Sequence, residues 1–494
     1  MARMAAEPLS LSPPERLFRQ CLLDCRENMQ GVPGMENLEL RWTGGWVRDK
    51  LLGATSHDID VALSTMTGEQ FGKALQEYMK SNGTKYEEEA KREGFTSDIK
   101  DLHKIKANPE KSKNLETITT RMFGLDVDLV NLRKEVYNES SRNPQMEFGT
   151  PQEDAVRRDA CVNALFYNLD TQKVEDFTGR GLQDMEAKLI RTPLAPYQTF
   201  VDDPLRVLRL IRFAARLDYT IQDDALQAMA DPRIHEALRM KISRERVGVE
   251  VGKIMTGPNA FSGLTRIYDL DLYVTVFGDP SSNLNQVDNS SFPVALDALR
   301  QVLDHASALS LVLKPKDDIT TAWTLAAYVP YADDEAAALN AAREGIKATN
   351  VISKTLSDAI TNRDRIRNSV HKVNNQEAGR ADVGMLLRGC GKSWRFHVLY
   401  SLLCDATKDS FEEVNKSYST FVQYVQAQDL EGAAEIKPIL NGNEIKKTMD
   451  ISKAGSWIKT ATEMVVRWQF AHPEGTTEEA VEWIRQHKDE LQAG

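Results

Sequence analysis

Cysteine is scarce: five in 494 residues, an odd number, with no Cys-x-x-Cys pair. That excludes a disulfide framework and a zinc site, and points to reduced thiols inside a cell. Cys21 and Cys25, four apart on an expected helix, read as packing residues. No apolar run reaches about 18 residues, which excludes a helical membrane span. Positive charge is also short, with 62 Lys and Arg against 73 Asp and Glu and a net charge of −11. A protein that coats nucleic acid indiscriminately is thereby excluded, although a local basic face is not. The opening MARMAAEPLSLSPPE lacks an Arg-rich amphipathic leader and a secretory apolar core. Cytoplasm or nucleus is therefore the expected location, with a mitochondrial form left open by alternative starts at Met1 and Met4. From about residue 260 onward there is no metal-ligand cluster, nucleophile elbow or P-loop. What remains is an ordinary composition, 41% hydrophobic and 27% charged, in a chain long enough for about two to four domains.

The chemistry concentrates in Arg41–Ser64, RWTGGWVRDKLLGATSHDIDVALS. Leu38–Trp42 reads as the end of a strand. Gly44-Gly45 lets the backbone turn closely against a ligand, and the N–H groups opening a helix around Val47–Leu52 suit a triphosphate. Arg48 adds a positive charge one turn in. His57–Leu63 alternates like a strand, so Asp58 and Asp60 share a face. Two such carboxylates repel each other unless a divalent cation lies between them, and hard oxygen ligands suit Mg²⁺. A lone Gly-Gly is usually only a turn, and a lone Asp-x-Asp usually a solvated strand end; the order and spacing raise the pair above that.

This stretch resembles the first signature, GGxVRDxLLG followed by DxD, of the class II tRNA nucleotidyltransferase/poly(A) polymerase family. Further along, Met122–Leu132 alternates like a strand and puts Asp126 and Asp128 on one face. Of these, the resemblance favours Asp128 as a third catalytic carboxylate, although the family often has Glu there. Residues 151–170 open with Pro and acidic residues as a helix would, and place Asp159 and Asn163 at i,i+4. A local ion pair would explain them, but RRDxxxNALFYN matches the family's second motif. That likeness implies that Arg158 meets the triphosphate while Asp159 and Asn163 read the ribose hydroxyl.

Phe200–Tyr219 predicts a buried helix with Asp203 as N-cap and Pro204 at its first position. Arg206, Arg209, Arg212 and Arg216 form a stripe on it, and most of the remaining circumference is apolar. Buried arginines need partners or a polar ligand. Asp203 offers an acceptor and Arg206 a donor fork, a set that suits cytosine and adenine better than uracil or guanine. The stretch resembles the family's EDxxR motif, with Asp202 in place of Glu, and Arg209 and Arg212 match positions supporting base and phosphates. Ile242–Met255 resembles a fifth, mainly structural motif.

Between these motifs, residues 96–118 read as a polar, Lys-rich loop, where Lys104, Lys106, Lys111 and Lys113 are within reach of phosphates. The family has a mobile substrate-positioning loop there. Thr67–Lys80 predicts an amphipathic helix, and Asn362–Lys372 is locally basic, most simply as an exposed helix face.

The expectation is an α+β fold: a nucleotidyltransferase head with a small mixed sheet over residues 1–175, a base-recognising neck over 176–260, and an α-helical body and tail over 261–494. The resemblance implies untemplated addition of CCA to tRNA from CTP and ATP with Mg²⁺ held by Asp58 and Asp60, by a monomer. Gly44, Gly45, Arg48, Arg158, Asp159, Asn163, Asp203, Arg206, Arg209 and Arg212 are the expected nucleotide-binding residues. Rival readings are a poly(A) polymerase, a CC-only or A-only enzyme, and a non-catalytic RNA- or nucleotide-binding protein.

Overall fold

A computed structural model describes residues 9–29, 31–32, 35–97, 103–105, 117–136, 145–281, 287–304, 309, 318–451, 455 and 457–488. The chain divides into two compact units, Met1–Glu250 with Gly257–Asn259, and Val251–Thr256 with Ala260–Gly494.

The first unit is built on apolar strands. Helix α1 (Pro13–Asn28) precedes β1 (Leu40–Thr43), whose four residues are all buried. Phe18 stacks on Trp42 at 5.8 Å, and Trp46 meets Trp42 edge-on at 4.7 Å. Trp46 belongs to α2 (Gly45–Leu51), so this aromatic cluster seats the glycine turn on the sheet. Its Nε1 donates to the buried Glu15 at 3.0 Å. Each fully buried ring contributes about 2–3 kcal/mol.

Strand β2 (Asp58–Leu63) runs antiparallel to β1, with Asp60 opposite Thr43. Helix α3 (Gly68–Glu93) then begins at Thr67, whose hydroxyl and Gln70 cap one another's backbone N–H groups. The helix extends 13 residues beyond the expected Lys80 to Glu93 (93 − 80), past Asn82 and Gly83. Its extra turns are anchored by Tyr86, whose hydroxyl donates to Asp24 of α1 at 2.6 Å. Only glycine fits at position 68, because a Cβ there would lie 2.2 Å from the carbonyl oxygen of Leu129.

Strands β3 (His103–Ile105), β4 (Thr117–Met122) and β5 (Leu125–Asn131) follow. Lys104 is thus on a strand paired with Ile118, whereas Lys106, Lys111 and Lys113 lie outside the described residues. The stretch expected as one strand over Met122–Leu132 contains a hairpin turn. Phe123 and Gly124 both take positive φ, 54° and 77°, the conformation that tight hairpins require. A small hairpin of β6 (Arg133–Val136) and β7 (Gln145–Phe148) leads to α4 (Pro151–Val156).

The helix expected over residues 151–170 stops at Val156. Leu165–Asn168, entirely buried, forms β8 and pairs with β1, and β9 (Val174–Asp176) closes the edge. An apolar run as short as Ala164–Tyr167 fits either a buried strand or a helix segment, and sheet pairing decided it. The result is a mixed seven-stranded sheet in the order β3-β4-β5-β2-β1-β8-β9, parallel between β2 and β5.

Helices α5 (Gly181–Glu186), α6 (Pro196–Asp202), α7 (Arg206–Leu217), α8 (Asp223–Met229), α9 (Pro232–Lys241) and α10 (Arg244–Met255) follow, with a short parallel strand pair, β10 (Leu189–Ile190) and β11 (Thr220–Ile221), among them. α7 starts three residues after Asp203, yet the Asp203 carboxylate accepts the Leu205 N–H at 3.1 Å and its carbonyl accepts that of Arg206 at 3.0 Å. Pro204 and Leu205 form a turn before the helical ladder begins.

Among its described residues the second unit has no strand. Tyr273, Phe277, Phe292 and Tyr328 pack ring on ring in its first core. Ile445, Met449, Val465, Trp468 and Ile484 form a separate cluster in the last three helices. An α+β chain with a mixed sheet in its N-terminal part and helices after it is the expected fold class. No helix among the described residues is long and apolar enough to cross a membrane.

Candidate active site

Strand periodicity places Asp58 and Asp60 on one face, with Ile59 buried on the other. Tertiary pairing doubles the pattern. β2 and β5 are parallel and in register, so Asp58 lies opposite Asp126 and Asp60 opposite Asp128. These four residues, with Thr119, Thr120 and Arg121 of β4, line a cleft of about 580 Å³.

The environment of the four carboxylates differs. Asp58 and Asp126 are exposed, whereas Asp60 is half-buried. Burial raises the Asp60 carboxyl above its ordinary range; Arg158 and Arg133 oppose this, and Asp58 and Asp154 add to it. A desolvated carboxylate beside a second one suits a cation. No three His, Cys, Asp or Glu residues among the described ones form a metal-holding group by themselves. Two neighbouring carboxylates supply hard oxygen donors, a set that fits a divalent ion taking few protein ligands and completing its shell with water and phosphate oxygens.

The glycine turn lies beside Asp60 of the cleft. Gly44 has φ +76° and hangs from β8 through its N–H to the Leu165 carbonyl at 3.2 Å. A Cβ on Gly44 would lie 3.2 Å from Arg158 Nη1 and 3.4 Å from Asp60 Oδ2. Carboxylate, guanidinium and glycine backbone thus converge at one point. Arg158 Nη1 also donates to the Asn163 carbonyl at 3.2 Å.

Beyond this point the polar residues form one chain. Asp49 receives Arg216 Nη2 at 3.0 Å on Oδ2 and Arg48 Nε at 2.8 Å on Oδ1. Arg48 Nη1 donates to Asn163 Oδ1, and Asn163 Nδ2 donates to Asp159 Oδ1 at 3.3 Å. Asp159 Oδ2 accepts from Arg209 Nε at 2.6 Å. Glu250 of α10 follows, with Oε1 at 3.7 Å from Arg209 Nη1 and Oε2 accepting from Arg212 Nε at 2.7 Å. Phe213 lies amid three guanidiniums, with Arg212, Arg209 and Arg48 at 4.3, 5.4 and 5.7 Å from its ring centroid. Burial would raise the Asp159 carboxyl, but Arg209 outweighs it and brings it down to about 2. The Arg209 guanidinium is correspondingly raised by Asp159.

The structure brings Asp159 and Asn163 together as expected, but by a different route. A turn and a 3₁₀ segment at Cys161–Asn163 replace the helix. Arg48 is buried and bound to Asp49 and Asn163, so its charge backs the glycine turn from within. Arg206 donates to the carbonyls of Arg157 (2.8 Å) and Thr199 (3.5 Å), while Asp203 Oδ2 meets Arg246 Nη2 at 3.4 Å. The motif reading passed over Asp49 and Glu250. Asp49 was visible in the Arg-Asp pair of the first signature. Glu250 carried no local signal, since its partners lie 38 and 41 residues away (250 − 212, 250 − 209) on another helix. In the second unit, Arg363, Arg365 and Arg367 of the basic stretch are held by Asp333, Asn362 and Asp405.

Residues 40–191 match the family model for the poly(A) polymerase head domain, a nucleotidyltransferase module. Two fungal relatives extend the likeness over nearly the whole chain. A protein from Candida glabrata named "CCA tRNA nucleotidyltransferase, mitochondrial" is 39% identical, over 92% of this chain and 91% of its own. A Saccharomyces cerevisiae protein of the same name is 37% identical over 91% and 88%. The chain belongs to the CCA tRNA nucleotidyltransferase family and is an enzyme of nucleotidyl transfer. The fold matches that of a Thermotoga maritima CCA-adding enzyme complexed with tRNA, with TM-score 0.63, 19% identity, and coverage of 100% of this chain and 98% of that one.

Proposed function

We propose that the chain adds the 3′-terminal CCA sequence to tRNA from CTP and ATP, without a nucleic-acid template. The RNA 3′-hydroxyl attacks the α-phosphate, a new phosphodiester forms, and pyrophosphate leaves. The observation that carries this reading is the convergence of Gly44 and Arg158 on Asp60, which lines the cleft. A site with a desolvated carboxylate, a fixed guanidinium and a glycine turn is suited to holding a triphosphate against a metal.

Asp58 and Asp60 are the residues that would hold Mg²⁺, which when bound stabilises charge on the attacking and leaving oxygens. Gly44 and Gly45 offer a backbone free of side-chain bulk to the phosphates, Arg48 supports that turn from behind, and Arg158 presents Nη1 to it. Asp159 and Asn163 select the ribose. Asp203 and Arg206 read the base edge by one acceptor and one donor fork, and Arg209 and Arg212 support them. Asp128, in register with Asp60, orients the attacking hydroxyl or takes its proton. Catalysis of this kind rests on placement and charge. We further propose a head over residues 1–175, a neck over 176–260 and a tRNA-binding body and tail over 261–494. The protein would act as a monomer, with a mitochondrial form beside cytoplasmic and nuclear ones.

Incorporation of each labelled NTP into tRNA transcripts ending before the first C, the second C and the final A tests the reading. Ordered C, C, A addition that then stops is expected, with none in Asp58→Ala or Asp60→Ala. Repeated A addition would make it a poly(A) polymerase, and tRNA binding without incorporation would make it a non-catalytic binder.

A further inference from the structure

Asp154, within α4, is 1% exposed and grips two consecutive arginines with one carboxylate. Its Oδ1 accepts from Arg157 Nε at 2.9 Å and from Arg157 Nη2. Its Oδ2 accepts from Arg158 Nε at 3.1 Å and from Arg158 Nη2 at 2.8 Å. Oδ1 also takes the Arg133 backbone N–H at 3.4 Å. On a continuous helix these residues would form ordinary i,i+3 and i,i+4 surface pairs. Here Arg157 and Arg158 keep the i+3 and i+4 positions just past Val156, but the carboxylate that both guanidiniums meet is buried.

The consequence for Arg158 is geometric. Two of its nitrogens are tied to one oxygen, which aims that edge of the guanidinium at Asp154 and the opposite nitrogen away from it. The third, Nη1, is the one that points past Gly44 to the Asn163 carbonyl. Charge neutralisation alone would not require this side-on grip. We infer that Asp154 is a positioning residue: it holds Arg158 so that Nη1 faces the bound triphosphate. The inference rests on the reading of Arg158 as a triphosphate-binding residue.

The test is steady-state incorporation of CTP and ATP by Asp154→Asn, Arg158→Ala and the double variant, with Arg157→Gln as the structural control. Asp154→Asn is expected to raise KM for both nucleotides on the order of tenfold, with kcat changed by less than about twofold. The double variant is expected to be no worse than Arg158→Ala alone, because Asp154 acts through Arg158. Arg157→Gln removes as many bonds to Asp154 and is expected to lower the melting temperature without moving KM. Multiplicative effects in the double variant, or an equal rise in KM in Arg157→Gln, would overturn the inference. An unchanged KM in Arg158→Ala would bring down the triphosphate reading itself, and this inference with it. Should Asp154→Asn fail to fold, Asp154→Glu carries the same test, since one added methylene displaces Arg158 while keeping the charge.

Discussion

Asp49 and Arg216 stand 167 residues apart in the chain, yet Arg216 Nη2 donates to Asp49 Oδ2 at 3.0 Å. This bond ties the short helix after the glycine turn to the arginine helix α7. The other carboxylate oxygen holds Arg48, so one buried side chain joins the proposed triphosphate side of the site to the base-reading side.

The two arms of Asp49 should differ greatly in worth. Arg48 is 2% exposed and would be left as a buried charge, whereas the Arg216 side chain is 48% exposed. Asp49→Ala should cost about 3–5 kcal/mol in urea unfolding. Arg216→Ala should cost no more than about 1 kcal/mol. Equal losses would show that the link between helices, not the burial of Arg48, is what Asp49 provides.

Gly44→Ala places a methyl against Arg158 and Asp60 at a φ of +76°. Gly53 has nearly the same φ, +73°, with nothing within 4 Å of its added Cβ. Gly44→Ala should lose about 1–3 kcal/mol from the backbone alone, because its ψ of −135° takes it outside the left-handed helical region, and Gly53→Ala about 1–2 kcal/mol from its positive φ. Only Gly44→Ala should also lose nucleotide incorporation, by roughly a hundredfold. Thermal melts and primer extension on the two variants separate the effects, and similar activity in both would remove Gly44 from the site.

Burial gives Asp60 a stability penalty at neutral pH. Its folded-state carboxyl is raised, so the folded protein binds that proton more tightly than the unfolded chain does. The penalty is absent below the unfolded value, about 3.9, and grows as pH rises through the raised folded value. In the absence of divalent cations, Asp60→Asn should thus melt higher than the parent at pH 7, with the difference vanishing below about pH 3.9. The same substitution should abolish incorporation. A lower melting temperature at pH 7 would contradict the desolvation argument.

Asp159 behaves in the opposite sense. Its folded value of about 2 lies below the ordinary one, so its stabilisation is present above about pH 4 and is lost as pH falls toward 2. Asp159→Asn should cost about 2 kcal/mol at pH 7 and flatten the acid limb of the stability curve. If Asp159 also reads the ribose, the variant should accept dNTPs more readily relative to NTPs. Unchanged sugar discrimination would confine Asp159 to the network.

Short-range periodicity made much of the site legible. A strand's two-residue repeat is enough to put Asp58 and Asp60 on one face, and a helix's 3.6-residue repeat is enough to align Arg206, Arg209, Arg212 and Arg216. The glycine turn could be read because few other residues tolerate its backbone. The same local logic failed at residues 157–168, where a short apolar run joined the sheet as β8 instead of continuing a helix. It also missed the hairpin turn at Phe123-Gly124, because alternation on both sides of the turn looked continuous.

The sequence by itself determined which faces carry carboxylates and arginines, since backbone geometry imposes those repeats wherever the strand or helix lies. Only the tertiary structure decided which of these groups meet. Parallel pairing of β2 with β5 set Asp60 beside Asp128, and the placement of α7 supplied Arg209 to Asp159 and Arg212 to Glu250. A buried charge must find its partner within a few ångströms, and that partner is chosen by chain folding across tens of residues, a distance over which local pattern carries no signal.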